Sequence, residues 1–187
     1  MEEINHYLFL KLNSMVGINS FLDLIIKFSG EYFVFLFVLV EVFLYFYLKK
    51  RNIAFFAFLT SMLGLCLNQI SGLLYFHNRP FMDNLGKTLV NHVQENSFPS
   101  DHTTLMFSIA IYLYVKMENK VLGESLISIA LYSGLSRVAM GVHYPFDVLG
   151  SIIIAVVSSL FVLKLENKLQ FLINFVFSIE KKIFKKV

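Results

Sequence analysis

Charged residues are scarce in this 187-residue chain, and their scarcity excludes most soluble folds. Only 16% of the residues are charged, whereas 57% are hydrophobic and 21 are Phe. Soluble domains contain roughly 45–50% apolar residues. With a mean hydropathy of +0.67, the chain is predicted to be a membrane protein. We expect a single domain over residues 1–187, because too little polar sequence remains for a separate soluble module.

Cysteine is almost absent. The one cysteine, Cys66, lies within an apolar run. A single cysteine can form neither an internal disulfide framework nor a multi-cysteine metal site, so the thiol is predicted to be passive helix surface. A small-residue cleavage site is also missing after the acidic N-terminus, so we expect no cleaved signal peptide.

Long apolar runs dominate the rest of the chain. Backbone polar groups in lipid must be satisfied within each segment, and a spanning helix needs roughly 17–25 residues. The predicted fold class is therefore all-α, a polytopic membrane bundle of five or six transmembrane helices. The sixth depends on residues 1–30, where the spacing of apolar residues predicts an interfacial helix and a short or partial span over 15–28. The five clear segments are 32–48, 53–76, 102–116, 121–140 and 147–165.

Basic residues predict the orientation. Residues 49–52, 116–120 and the Lys-rich tail, 167–187, fall on one side if the five segments alternate. The positive-inside rule places that side in the cytoplasm, so this charge pattern indicates membrane topology and no nucleic-acid partner. The tail is predicted to lie on anionic lipid or to be a solvated end. We expect a multi-pass protein of the cell membrane with its polar loops outside.

Three polar islands fall on the predicted outer side: HNRPF at 77–81, FPSDHTT at 98–104 and SRVAMGVHYPFDVLG at 136–150. Arg79 and Arg137 are costly at a bilayer boundary without an anionic partner, and the planar guanidinium suits phosphate oxygens. Ser100 precedes a predicted helix, where its hydroxyl and the free N–H groups can bind an anion. Together these residues predict a site for a phosphate-sized anion.

Two histidines suit the same site. His143 and Asp147 are four residues apart around Pro145, a spacing that suits the first turn of a helix. The carboxylate can then reach one imidazole nitrogen and leave the other as a nucleophile. His102 is available as a general acid and base. Each feature alone is more often structural, but their combination favours catalysis.

The residues RP at 79–80, PSDH at 99–102 and SRVAMGVHYPFD at 136–147 resemble the three signature motifs of the type 2 phosphatidic acid phosphatase superfamily. The similarity covers roughly residues 30–165. Within that superfamily, RPF, FPSDHTT and GVHYPFDVLGS are similar to the small undecaprenyl-diphosphatase branch associated with bacitracin resistance. The resemblance implies a helical bundle, hydrolysis of a phosphate ester or anhydride without a metal or other cofactor, and a phosphohistidine intermediate.

The resemblance also implies roles for single residues. His143 corresponds to the nucleophile, Asp147 to its orienting partner and His102 to the acid that protonates the leaving group. The phosphate ligands correspond to Arg79, Ser100 and Arg137. Neighbouring residues expected to support this site are Pro99, Asp101 and Ser136.

Two positions depart from the family motifs. The Lys that usually stands seven residues before the motif Arg is Gly72, so one phosphate ligand is missing or comes from elsewhere, for example from Lys87. The Gly before the motif His is Asp101. An acidic side chain is favourable at a helix N-terminus, but its negative charge argues against direct contact with phosphate.

For the other polar residues, a functional role is less strongly indicated by the sequence. His77 and His92 lie in the outer loop, where solvated polarity is a more common role than substrate contact. A metal site formed by these two with His102 has no tight ligand spacing. Asn68 and Gln69 lie inside an apolar segment, where hydrogen bonding between helices is the expected role.

The combined prediction is an integral membrane phosphatase that removes the terminal phosphate of a lipid diphosphate outside the cytoplasm. Only the resemblance points to undecaprenyl diphosphate, the form in which the lipid carrier of cell-wall peptidoglycan synthesis is left after polymer transfer. The other expected partners are membrane lipids. One alternative is the same chemistry on phosphatidylglycerophosphate or phosphatidate. Another is a non-catalytic lipid-phosphate binder or transporter. A transporter would need polar groups at the bilayer midplane, whereas here they gather at one edge.

Overall fold

The computed structural model describes residues 1–184, which form six helices and no strand. The predicted all-α membrane bundle is confirmed. Three of the helices, α2, α3 and α6 as far as Lys182, are both long and apolar enough to cross a bilayer. The bounds are α1 (Glu2–Asn13), α2 (Ser20–Phe46), α3 (Arg51–Leu74), α4 (Asp101–Lys116), α5 (Lys120–Ala139) and α6 (Pro145–Phe184).

Helix α4 lies at the centre of the bundle, packed against α3, α5 and α6. Its 16 residues include buried Ser and Thr as well as apolar side chains, because protein surrounds the helix. Small residues allow this close packing: a Cβ on Gly64 of α3 would lie 2.8 Å from the Ser108 hydroxyl. The outer helices instead expose large apolar side chains, including Phe35 of α2 and Ile153 and Leu160 of α6, as lipid contact requires.

The N-terminal region differs from the sequence prediction. Residues 20–46 form one helix, so the short span drawn at 15–28 mostly belongs to α2. Asn19 caps this helix, since its side-chain oxygen accepts hydrogen bonds from the backbone N–H groups of Phe21 and Leu22. The separate α1 packs on the start of α6 and on the loop before it: Asn5 accepts a hydrogen bond from the backbone N–H of Phe146 at 3.0 Å, and the His6 ring stacks on Tyr144. Helix α1 therefore supports a loop that carries predicted site residues.

The C-terminal region also differs from the prediction, because the expected tail continues α6 as far as Phe184. The remainder of that tail, residues 185–187, lies outside the described residues. At roughly 1.5 Å per residue, the 40 residues of α6 extend about 60 Å, twice the thickness of a bilayer core. Ion pairs hold the distal half to other helices: Lys116 pairs with Glu166 at 2.8 Å and Arg51 with Glu180 at 3.0 Å.

Chain direction places all three polar islands at one end of the bundle. Helices α3 and α5 end there, α4 and α6 begin there, and the long α3–α4 loop covers that end. We call it the site end. Polar loop residues and two helix N-termini therefore meet in one region.

Candidate active site

His143 lies in the short loop between α5 and α6. Its Nδ1 atom is 3.3 Å from Oδ2 of Asp147 in the first turn of α6, so the predicted contact is present. Burial lowers the pKa of His143 to about 3. The ring is therefore neutral near pH 7, and a proton on Nδ1 leaves a lone pair on Nε2.

The Asp147 carboxylate is fully buried and contacts several polar groups. Oδ2 accepts hydrogen bonds from the Ser97 hydroxyl at 2.5 Å and from the Tyr144 backbone at 2.7 Å. Oδ1 lies 3.4 Å from Nδ1 of His77, and polar contact with this carboxylate raises the pKa of His77. Asp147 therefore lies between two imidazoles, of which the sequence predicted only His143.

Arg79 is buried in the α3–α4 loop and contacts the free nitrogen of His143. Its Nη1 donates a hydrogen bond to the Val142 carbonyl at 2.9 Å and lies 3.2 Å from Nε2 of His143. Its Nη2 donates to Oε1 of Glu95 at 3.0 Å and to the Asn96 carbonyl at 3.3 Å. The Glu95 carboxylate thus occupies one N–H donor of Arg79 that could otherwise bind an anion.

Arg137, near the end of α5, is only 1% exposed. Its Nη1 donates to the Gly30 carbonyl at 3.0 Å and to Oε1 of Glu31 at 3.2 Å. Its Nη2 lies 3.5 Å from Nε2 of His92. Within residues 1–184, the Nε atoms of both Arg79 and Arg137 are buried without a hydrogen-bond partner.

Ser100 stands before α4 as predicted, but it does not line the same cavity as the other predicted phosphate ligands. The side chain is fully buried, and its oxygen accepts a hydrogen bond from the Thr103 hydroxyl at 3.1 Å. Its backbone N–H donates to the Ser151 hydroxyl at 2.9 Å. Ser100 does not line the cavity described below, and its own hydroxyl proton is not used by the contact with Thr103, so its phosphate contact stays a prediction. The first N–H groups of α4 remain available, because they have no acceptor within the helix.

The three predicted supporting residues divide into two groups. Pro99 and Asp101 lie at the site, and Asp101 accepts a hydrogen bond from the Asn68 amide at 2.8 Å, joining α3 to α4. Ser136 lies away from the site and accepts a hydrogen bond from the Ser29 hydroxyl at 2.8 Å. It joins α2 to α5, so its contribution is to helix packing.

Lys87 does not replace the motif lysine in this structure. Its ammonium group donates to the Val16 carbonyl at 3.1 Å, away from Gly72. The space beside Gly72 is occupied by Asn96, whose amide nitrogen would lie 3.2 Å from a Cβ at residue 72. That amide donates to the Tyr75 carbonyl at 2.8 Å. A neutral side chain thus lies where the family motif has a cation.

A polar cavity of about 290 Å³ brings the predicted groups together, and we call it the phosphate cavity. His143, His102 and the two arginines line it, and so does His92. Two imidazoles and two guanidinium groups therefore line one cavity, and such a set of groups can bind and transfer a phosphoryl group. Other polar lining residues are Asn68, Gln69, Glu95, Asn96 and Asp101.

His77 lines a different cavity, of about 440 Å³, on the other side of Asp147. It is therefore separated from His92 and His102, and the alternative metal site made from these three histidines is wrong. Among residues 1–184, no group of three or more His, Cys, Asp or Glu side chains could hold a metal ion.

Three residues that contact the predicted site residues were absent from the sequence prediction. Ser97 lies one residue before the quoted FPSDHTT motif, so its position was a usable signal. Glu31 and Glu95, which pair with the two arginines, had no such signal, because the paired residues are 106 and 16 positions apart and follow no short regular spacing.

Comparison with known proteins agrees with this arrangement. The model of the PAP2 superfamily matches residues 53–171, a range that contains all three motifs. The chain belongs to the PAP2 superfamily. The resemblance seen in the sequence is thereby confirmed, and this PAP2 protein is a multi-pass membrane lipid phosphatase.

Related proteins match nearly the whole chain. It is 32% identical to undecaprenyl-diphosphatase BcrC of Bacillus subtilis (strain 168), over 98% of this chain and 95% of that protein. It is 33% identical to a protein of Bacillus licheniformis named bacitracin transport permease protein BcrC, over 91% and 84% of the two chains. The crystal structure of Aquifex aeolicus LpxE superposes with a TM-score of 0.69 at 26% identity, covering 84% of this chain and 93% of that one.

Proposed function

We propose that this PAP2 protein hydrolyses undecaprenyl diphosphate to undecaprenyl phosphate at the outer face of the membrane, through a phosphohistidine intermediate. The observation that carries the proposal is the phosphate cavity, which is lined by His143, His102 and two buried arginines. Recycling of the cell-wall lipid carrier is the role that follows from this reaction.

The nucleophile in this proposal is Nε2 of His143. Asp147 holds the Nδ1 side of the ring, so Nε2 attacks the terminal phosphorus while the bond from phosphorus to the bridging oxygen breaks. His102 takes up a proton as the negatively charged diphosphate enters the cavity, and it gives that proton to the departing lipid monophosphate. Water activated by His102 then attacks phosphohistidine, which releases inorganic phosphate and restores neutral His143.

Charge on the transferred phosphoryl group is balanced by fixed donors. Arg79 and Arg137 contribute guanidinium N–H groups, including the two unpaired Nε–H groups, and α4 contributes the free N–H groups of its first turn. Ser100 stands at the start of α4, where its hydroxyl accepts from Thr103 and keeps its own proton for donation to phosphate. Before substrate binds, Glu95 holds Arg79 in place and neutralises its charge. Incoming phosphate then displaces this carboxylate.

The choice of lipid rests on the relatives. The Bacillus subtilis protein that matches 98% of this chain is named undecaprenyl-diphosphatase. The name of the Bacillus licheniformis relative refers to bacitracin transport. A phosphatase is favoured over a transporter here, because two buried arginines and three imidazoles line one cavity at the site end.

The test is phosphate release by the purified protein in detergent. Undecaprenyl diphosphate should be cleaved more efficiently than phosphatidylglycerophosphate or phosphatidate, and His143→Ala should fold but release no phosphate. Gln94→Ala, which changes an exposed residue outside the lining of the phosphate cavity, is the control and should retain activity. A preference for phosphatidylglycerophosphate would contradict the substrate, and near-normal turnover by His143→Ala would contradict the mechanism.

A further inference from the structure

The phosphate cavity contains one histidine that the mechanism above does not use. His92 lies in the α3–α4 loop with a side chain that is 19% exposed. Its Nδ1 is 3.3 Å from the Val93 carbonyl, and its Nε2 is 3.5 Å from Nη2 of Arg137. A hydrogen bond to a carbonyl requires the proton on Nδ1, so Nε2 of the neutral ring faces the cavity as an acceptor.

Charge in the empty cavity is nearly balanced before substrate arrives. Arg79 pairs with Glu95 at 3.0 Å, and Arg137 pairs with Glu31 at 3.2 Å. Asp101 adds a further negative charge to the wall. A lipid diphosphate would bring at least two negative charges into this setting, so two arginines alone leave it short of positive charge.

The family motif would supply the missing charge from a lysine at position 72. Gly72 and the neutral Asn96 amide occupy that region here, and Lys87 is bonded elsewhere. Among the described residues that line the phosphate cavity, only one side chain beyond the two arginines, His102 and His143 can become a cation, and it is His92.

We propose that His92 is the third phosphate-binding residue of this enzyme and that it takes up a proton when the substrate phosphate binds, in place of the motif lysine. The inference rests on the proposed function and extends it to a residue outside the family motifs. Protonated Nε2 then donates to a phosphate oxygen beside Arg137, a charge-assisted contact.

The groups already around His92 oppose protonation in the empty site. Arg79 and Arg137 face it on the cationic side, and the one facing carboxylate, Glu95, lies 3.8 Å from its Nδ1. Burial, followed by the charge of Arg79, lowers the pKa of His92 in the empty site. A bound phosphate adds negative charge next to Nε2 and raises that pKa, so binding couples to proton uptake.

The test compares KM and kcat for undecaprenyl diphosphate between pH 5.5 and 8.5 in the wild type, His92→Gln and His92→Lys. His92→Gln should raise KM on the order of tenfold at the acidic end with little change in kcat, because one charge-assisted hydrogen bond is lost. Wild-type KM should rise with pH as bound His92 loses its proton. His92→Lys should keep KM low across the range.

Gln94→Lys is the matched control, because it adds a cation to the same loop at an exposed position outside the cavity lining. Its KM profile should follow that of the wild type. A His92→Gln enzyme with wild-type KM, or with a KM that still rises with pH in parallel with the wild type, would overturn the proposal. A His92→Lys enzyme that binds no better than His92→Gln would also overturn it.

Inorganic phosphate provides a readout that does not depend on turnover. Phosphate should raise the melting temperature of the wild type and of His92→Lys, and this rise should be smaller in His92→Gln and should shrink in the wild type as pH increases. A wild type that hydrolyses no lipid phosphate would contradict the proposed function but leave this measurement decisive for His92. Equal phosphate-induced shifts in all three proteins would exclude His92 as a ligand.

Discussion

At the scale of single residues, burial determines the charge state of the imidazoles around Asp147. His143 is 2% exposed, and burial lowers its pKa from the usual 6.5 to about 3. His77, on the other side of the carboxylate, has a raised pKa because of its polar contact with Asp147. One carboxylate thus contacts a neutral imidazole that can act as a nucleophile and a second imidazole that holds its proton more tightly.

The depressed pKa of His143 predicts a loss of stability in acid. Between about pH 6.5 and pH 3 the unfolded chain binds a proton at this residue that the folded chain does not, so its contribution is present above pH 6.5 and decreases as pH falls. The contribution of His77 to stability has the opposite pH dependence, because it is lost as pH rises through the raised pKa of His77. In detergent, the melting temperature of His143→Asn should fall less between pH 7 and pH 5 than that of the wild type.

The control for this measurement is Gln94→Asn, an exposed change between two uncharged side chains, which should show the same loss of stability in acid as the wild type. If His143→Asn and the wild type lose equal stability over this range, the buried neutral state of His143 is not the cause.

At the scale of elements, one turn sets the position of the nucleophile. Gly141 lies between α5 and His143 with φ +89°, a conformation that residues with a Cβ rarely adopt. A Cβ at this position would lie 2.2 Å from the Lys87 carbonyl. The same turn is held by hydrogen bonds from Val142 N to the Arg137 carbonyl and from Leu89 N to the Met140 carbonyl. Helix α5 and the α3–α4 loop therefore pack together through this glycine.

Gly141→Ala should consequently reduce both activity and stability. The positive φ alone costs about 1–3 kcal/mol for a residue with a Cβ, and the contact with Lys87 must also open. Thermal unfolding and phosphate release measure the two effects. Gly72→Ala is the comparison, since its Cβ would meet only the end of the Asn96 side chain at 3.2 Å, and its melting temperature should fall less. A Gly141→Ala protein with wild-type stability would show that the turn can rearrange freely.

At the scale of the whole molecule, exposed apolar helices surround a polar interior. Large apolar side chains on α2 and α6 are exposed, while Ser, Thr, Asn and Arg side chains are buried near α4. This distribution is the reverse of a soluble domain and suits a bilayer, where every buried polar group needs a partner within the protein. Positive charge lies mainly at the end opposite the phosphate cavity, in the loop at 49–51 and toward the C-terminus.

This charge distribution predicts the orientation of the enzyme. With Cys66 replaced by Ser, a cysteine at Gln94 should react with an impermeant thiol reagent in intact cells, and a cysteine at Glu118 should react only after permeabilisation, because the positive-inside rule places the basic loops in the cytoplasm. Both positions are exposed and neither caps a helix. Reversed labelling would contradict the proposed outer-face site.

The sequence by itself determined the class of the protein and most of the residues at the site. Hydropathy marked the spanning segments, because the need to satisfy the backbone in lipid acts on each segment separately. The spacing of His143 and Asp147 around Pro145 predicted their contact, because it places His143 directly before the first helical turn that carries Asp147. These properties are local in the chain and can be read without the fold.

Only the tertiary structure decided which side chains share the phosphate cavity. It places His92 there beside Arg137, from 45 residues away, and puts His77 on the opposite side of Asp147. It also pairs the two arginines with carboxylates and leaves Ser100 outside the lining of the phosphate cavity. The physical reason is that these contacts depend on how distant helix ends and a long loop pack against one another, and no local pattern of residues encodes that packing.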